Sequence, residues 1–207
     1  MNVISLFNSI RDIPYRIPLT WEDVDNCCSG KSEKLYNALK KQHVQVRYRV
    51  CVFLWSNLHL PKKIEKITHE DDCTHTFLEV KVGKYWKTLD PTWDKKLKNI
   101  FQINEWNGKS STKIAVKPIK IFTPQKSLRI VQNQTKEVIN RDLKRNGKFY
   151  KALNDWLESK RKQKMVKKKS DKNSVPEDDA GWTIMAEKSL KELWKNQKDE
   201  KAWTKYR

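Results

Sequence analysis

The stretch "HTFLEVKV", the pair Gly83-Lys84 and the stretch "YWKTLD" constrain the fold more than any other part of the chain. Two β-rich runs around a short turn that holds a glycine predict an antiparallel hairpin. With Gly83-Lys84 as the turn, Val82 faces Tyr85, Glu79 faces Thr88 and Phe77 faces Asp90. His75 is two residues from Phe77 and shares its face. His75 and Asp90 therefore lie diagonally across neighbouring strands, a separation that their side chains can close. A slip of one residue would send them to opposite faces.

A partner strand precedes the hairpin. In "VQVRYRVCVFLW", residues 44 to 55, apolar residues alternate with polar ones at first and fill both sides later. That pattern predicts a strand with one wet face that becomes buried on both. Before it, "SGKSEKLYNALKKQH" places Leu35, Ala38 and Leu39 at helical spacing, which predicts an amphipathic helix from about Ser29. The segment from Asn57 to Cys73 carries Pro61 and no period, so it reads as a loop, and "KIAVKPIKIFTP" as an edge strand, because Pro118 suits no central one. After Thr135 the pattern turns helical, with Gly147 as a weak point.

The charge divides along the same line. Residues 1 to 94 hold 14 Lys and Arg against 12 Asp and Glu, whereas the rest of the chain holds 30 against 13. The formal net charge of +19 is thus a property of the C-terminal part. The expected organisation is a domain over 1–125, a helical extension over 126–162, a basic and polar linker over 163–181, disordered by composition, and an amphipathic Trp- and Lys-rich helix over 182–207. The apolar fraction of 37% against 33% charged is lean, and nine Trp, six Tyr and six Phe supply the bulk for a core.

The first residues lack the basic start and apolar run of a secretory signal, and no stretch approaches the roughly 18 apolar residues of a membrane span. The expectation is a cytoplasmic protein with reduced thiols, since adjacent Cys27 and Cys28 are poorly placed to bridge each other.

A cysteine at a helix start sits beside unpaired N–H groups and the positive end of the helix dipole, both of which favour thiolate. Cys28 takes that place, with Gly30 expected to keep the backbone open to a substrate. His75 can then act as its base and Asp90 can orient His75, a Cys-His-Asp triad. Trp21 is a candidate oxyanion donor through its indole N–H, although a Trp more often packs. Cys27, Cys28, Cys73 and His75 as a zinc site is a poor reading, because adjacent cysteines space two ligands badly and no CxxC occurs. No metal is expected, and Cys73 reads as a loop thiol near the site.

With these residues in place, "DNCCSGKSEKLYNALKKQHVQVRYRV" and "HTFLEVKVGKYWKTLDPTWD" together resemble the core of the transglutaminase-like superfamily, as does "IRDIPYRIP" the segment before its cysteine helix. The resemblance covers about Ile10 to Asp94. It implies an α+β, papain-like core, with the nucleophile helix packed on an antiparallel sheet and the basic helical C-terminal part outside it. It also implies Cys28 as nucleophile, His75 as base, Asp90 as orienting acid, and cysteine-dependent acyl transfer or amide hydrolysis on a protein or peptide substrate, with no obligatory cofactor. Cys27 matches no catalytic role. The alternative is a catalytically inactive scaffold of this fold whose basic tail binds nucleic acid or an acidic protein partner.

Overall fold

The computed structural model describes residues 2–170. The chain opens with α1 (Val3–Arg11), capped by the Asn2 side chain, which accepts from the Ile4 N–H at 3.0 Å. Leu6, Phe7 and Ile10 form its buried face. Helix α2 (Cys28–Lys41) follows, then strand β1 (Val46–Leu54), a 3-10 turn (Trp55–Leu58) and the single turn α3 (Lys62–Glu65). Strands β2 (Asp72–Val82) and β3 (Tyr85–Leu89) form the hairpin; β4 (Lys120–Ile121), α4 (Pro124–Gln132) and α5 (Lys136–Ser170) complete the fold.

The four strands make one curled antiparallel sheet in the order β3-β2-β1-β4. The hairpin has the expected register, Val82 opposite Tyr85 and Glu79 opposite Thr88. On β1, burial alternates from Val46 to Val50 and then continues through Cys51, again as the pattern predicts. Arg47 and Arg49, on its half-wet face, both pair with Glu79 across the ladder, at 2.6 and 2.5 Å. β4 is an edge of two residues. Beyond it Ser127 of α4 accepts from the Val50 N–H at 3.0 Å, so a helix side chain covers part of the open edge.

Two apolar clusters hold the sheet. One packs α1 and α2 on it through Phe7, Leu35, Leu39, Leu78 and Leu89. The other gathers Tyr15, Phe53, Phe77 and Trp93 with Phe149, Leu153 and Leu157 of α5. Residues through Val166 form one compact unit, and the helical stretch expected as an extension lies inside it. Asn154 of α5 acts as a surrogate strand neighbour for Ile17: its Oδ1 accepts from the Ile17 N–H at 3.0 Å and its Nδ2 donates to the Ile17 carbonyl at 2.8 Å.

Several elements differ from expectation. α1 was not anticipated, although Asn2 is an ordinary helix start; α3 forms inside the segment read as a loop; and α4 begins at the Thr123-Pro124 pair, two residues ahead of the helical extension expected from 126. α5 runs through Gly147 without a break, because the burial of Phe149, Leu153 and Leu157 outweighs the weak propensity of one glycine. It continues to Ser170, into the stretch read as a linker. The remainder of that linker and the helix expected over 182–207 lie outside the described residues.

Candidate active site

Cys28 is the first residue of α2, and Cys27 is its N-cap in extended backbone, with no side-chain cap bond. The turn before the helix is organised instead by Asp25. Its Oδ1 accepts from the Cys27 N–H at 2.7 Å and its Oδ2 from the Ser29 hydroxyl at 2.9 Å, while Lys34 Nζ donates to its carbonyl. A Cβ on Gly30 would lie 2.1 Å from that same carbonyl oxygen. Gly30 is thus needed for the chain's own close approach, not for access of a substrate. The N–H groups of the first turn have no acceptor within the helix and point toward the Cys28 side.

His75 and Asp90 meet as the hairpin register dictates. His75 Nε2 donates to Asp90 Oδ2 at 2.7 Å, and both side chains are buried. Because an ionised carboxylate only accepts, the proton of this bond sits on Nε2, which leaves Nδ1 as the basic nitrogen. Asp90 is held from every side. Its Oδ2 also accepts from the Ala115 N–H at 2.7 Å, and its Oδ1 from the Thr92 N–H and hydroxyl at 3.1 and 2.5 Å. Burial works to raise its pKa, but the pull of His75 when protonated, its hydrogen bond and these donors outweigh burial and hold the carboxyl below its usual range. The main chain is fixed too, by Thr112 on the Asp90 N–H and Asn104 on its carbonyl.

Cys28 and His75 line one cavity of about 140 Å³, walled by aromatic rings that include Tyr15, Trp55 and Trp93. Trp93 is fixed by packing, stacked on Phe101 at 4.0 Å between ring centres. The other thiols are held protonated. Cys51, directly across the ladder from His75, is pushed up to about 12 by burial and then by the Asp90 charge. Cys73 reaches about 12 for the same first reason, with the Asp142 charge adding to it. The bond with the Cys28 thiol, then burial and the Asp25 charge, raise Cys27.

Trp21 does not join this group. Its side chain stands 42% exposed on the loop before α2 and does not line the cavity. Among the described residues, no three His, Cys, Asp or Glu are grouped to hold a metal ion, and no helix is long and apolar enough to cross a membrane.

No family model, curated protein or solved structure matches this chain. The site therefore rests on its own geometry.

Several residues that build it were given no role from the sequence. Lys31, one turn beyond Cys28, is fully buried, and its Nζ donates to the Arg11 carbonyl at 2.7 Å and the Thr92 carbonyl at 2.8 Å. It ties the cysteine helix to the loop that holds Asp90. From the C-terminal side, Gln134, Asp142 and Tyr150 add polar groups to the cavity wall. Only Asp25 could have been found, since an Asp two residues before an N-cap commonly bonds the backbone that follows.

Proposed function

We propose that the protein is a cysteine-dependent enzyme acting on amide bonds, with Cys28 as nucleophile, His75 as base and then acid, and Asp90 as its orienting partner. The observation that carries the reading is the buried 2.7 Å bond between His75 Nε2 and Asp90, in a cavity that also holds Cys28 at a helix start. With Nε2–H engaged by Asp90, the His75 Nδ1 takes the Cys28 proton. The thiolate adds to the substrate carbonyl, and the first N–H groups of α2 receive the oxyanion. His75 then returns the proton to the departing amine, leaving a thioester on Cys28. Water activated by His75 releases the acid; an amine in its place would complete an acyl transfer. Hydrolysis is favoured here because the domain is small. The resemblance to transglutaminase-like enzymes supports the same bond chemistry.

Trapping with an activity-based acyl probe, followed by peptide mass spectrometry, tests the reading. The expected result is an acyl group on Cys28, absent from Cys28→Ala and slowed in His75→Ala. Acylation of another cysteine at the same rate, or none at all, overturns it.

A further inference from the structure

The charge of the cavity runs against the composition of the chain. Lys and Arg number 44 against 25 Asp and Glu, yet among the described residues no lysine or arginine lines the cavity, whereas Asp25 and Asp142 do. Asp25 is engaged on both oxygens by the turn before α2. Asp142, half-buried on α5, is not. Its Oδ1 accepts from Asn146 Nδ2 at 2.8 Å and from the Tyr150 hydroxyl at 3.2 Å, and among the described residues its Oδ2 bonds no donor. The basic neighbour one turn along, Arg145, is directed elsewhere, to Glu70 at 2.7 Å. A carboxylate oriented by two neutral donors and left without a cation among the described residues, in a strongly basic protein, is suited to a cation that arrives from outside.

The surroundings fit one kind of guest. Ile139 and Leu143 flank Asp142 on the same helix, and Trp55 and Leu58 line the cavity as well. Apolar walls with one carboxylate match an aliphatic stem that ends in a positive charge. The charge of Asp142 is felt within the cavity, since after burial it is the next cause that pushes the Cys73 thiol up.

We infer that Asp142 selects substrates that carry a lysine or arginine side chain beside the amide attacked by Cys28. This rests on the reading of Cys28 as the nucleophile, and it concerns the acyl side of the substrate. Asp142 and its apolar flanks Ile139 and Leu143 come from α5, outside the region of the resemblance.

Charge-dependent labelling of the full-length protein tests it. Rates of modification by a trimethylammonium-bearing and a sulfonate-bearing methanethiosulfonate are read at Cys28 by peptide mass spectrometry. A net charge of +19 favours the sulfonate reagent over the protein as a whole. With each rate taken relative to that of a small free thiol, which reacts faster with the cationic reagent to begin with, the expected result at Cys28 is a further preference for the cationic reagent of about tenfold, as a unit charge several Å away in a partly buried site produces. Asp142→Asn abolishes the preference and Asp142→Glu keeps it. An anionic preference in the wild-type protein on that relative scale, or a ratio unmoved by Asp142→Asn, overturns the inference; Asp142→Ser serves as the second variant if the Asn variant does not fold, since Asp25 also lines the cavity and the wild-type ratio does not separate the two carboxylates. Failure of the nucleophile reading looks different: Cys28 then reacts no faster than the other thiols and is indifferent to His75→Ala, whatever the charge of the reagent.

Discussion

Arg161, on α5, and Asp94, just after the strand that delivers Asp90, form a buried ion pair with Nη2 to Oδ2 at 2.6 Å. The same Nη2 donates to the Tyr15 carbonyl at 3.0 Å, and the Tyr15 N–H donates back to Asp94 at 3.0 Å. Three distant parts of the chain therefore close on one carboxylate. Arg161→Met leaves that charge buried with only weak neutral donors, a change that costs about 3–5 kcal/mol. Urea unfolding is expected to show a loss of that size, and Arg161→Met with Asp94→Leu a smaller one than Arg161→Met alone. A loss under about 1 kcal/mol for the single variant would place this pair with ordinary surface bridges.

The four thiols are expected to differ sharply. Burial and neighbouring charge hold Cys51 and Cys73 at about 12, and the bond with the Cys28 thiol, then burial, raises Cys27. Iodoacetamide at pH 7 should label Cys28 first, by at least about tenfold in rate, because the thiolate is the reacting form. His75→Ala and Asp90→Asn should each slow Cys28, while burial keeps Cys51 and Cys73 slow even where the Asp90 charge is removed. Peptide mapping over time measures all four rates in one experiment. Equal rates at all four would remove the basis for a nucleophile here.

Two glycines of one chain predict opposite outcomes. Gly147 lies inside α5, and a Cβ there meets nothing within 4 Å. Gly147→Ala should stabilise the protein by about 0.5–1 kcal/mol through helix propensity. At Gly30 a Cβ would stand 2.1 Å from the Asp25 carbonyl oxygen, and backbone cannot yield as a flexible side chain can. Gly30→Ala should destabilise by more than about 2 kcal/mol or displace the turn that presents Cys28. Thermal unfolding of the two variants beside the wild-type protein is the measurement.

How far the sequence reaches follows from the range of each interaction. The His75–Asp90 contact was legible because strand period and a two-residue turn convert residue numbers into neighbours. The helix start at Cys28 was legible because helix periodicity and the small residues beside it are local signals. Asp142 and Tyr150 were not, nor was Gln134 in the link just before α5, since they reach the cavity through the docking of the C-terminal helices, which depends on pairs as far apart in sequence as Ile17 with Asn154 and Asp94 with Arg161. Trp21 failed for the same reason in reverse: seven residues from the nucleophile along the chain, it stands partly exposed and does not line the cavity.

Lys31 offers the clearest dependence on pH. Burial lowers its pKa to about 7, against the pull of the Asp94, Asp12 and Asp90 carboxylates and with the Arg161 charge adding to the fall. In the unfolded chain the amine keeps its ordinary value near 10.4. Between pH 7 and about 10 the unfolded state therefore binds more protons than the folded one, so the contribution of this group to stability rises with pH. The full span is on the order of 4 kcal/mol, present at the alkaline end and absent at and below pH 7. Lys31→Met removes the titration and leaves the Arg11 and Thr92 carbonyls without this donor. The difference in unfolding free energy, wild type minus Lys31→Met, should grow as pH is raised from 7 to 10, by up to about 1.4 kcal/mol per pH unit. Groups common to both proteins, the other thiols included, largely cancel in that difference. A flat difference across this range would mean that Lys31 keeps its proton in the folded protein, with the surrounding carboxylates outweighing its burial.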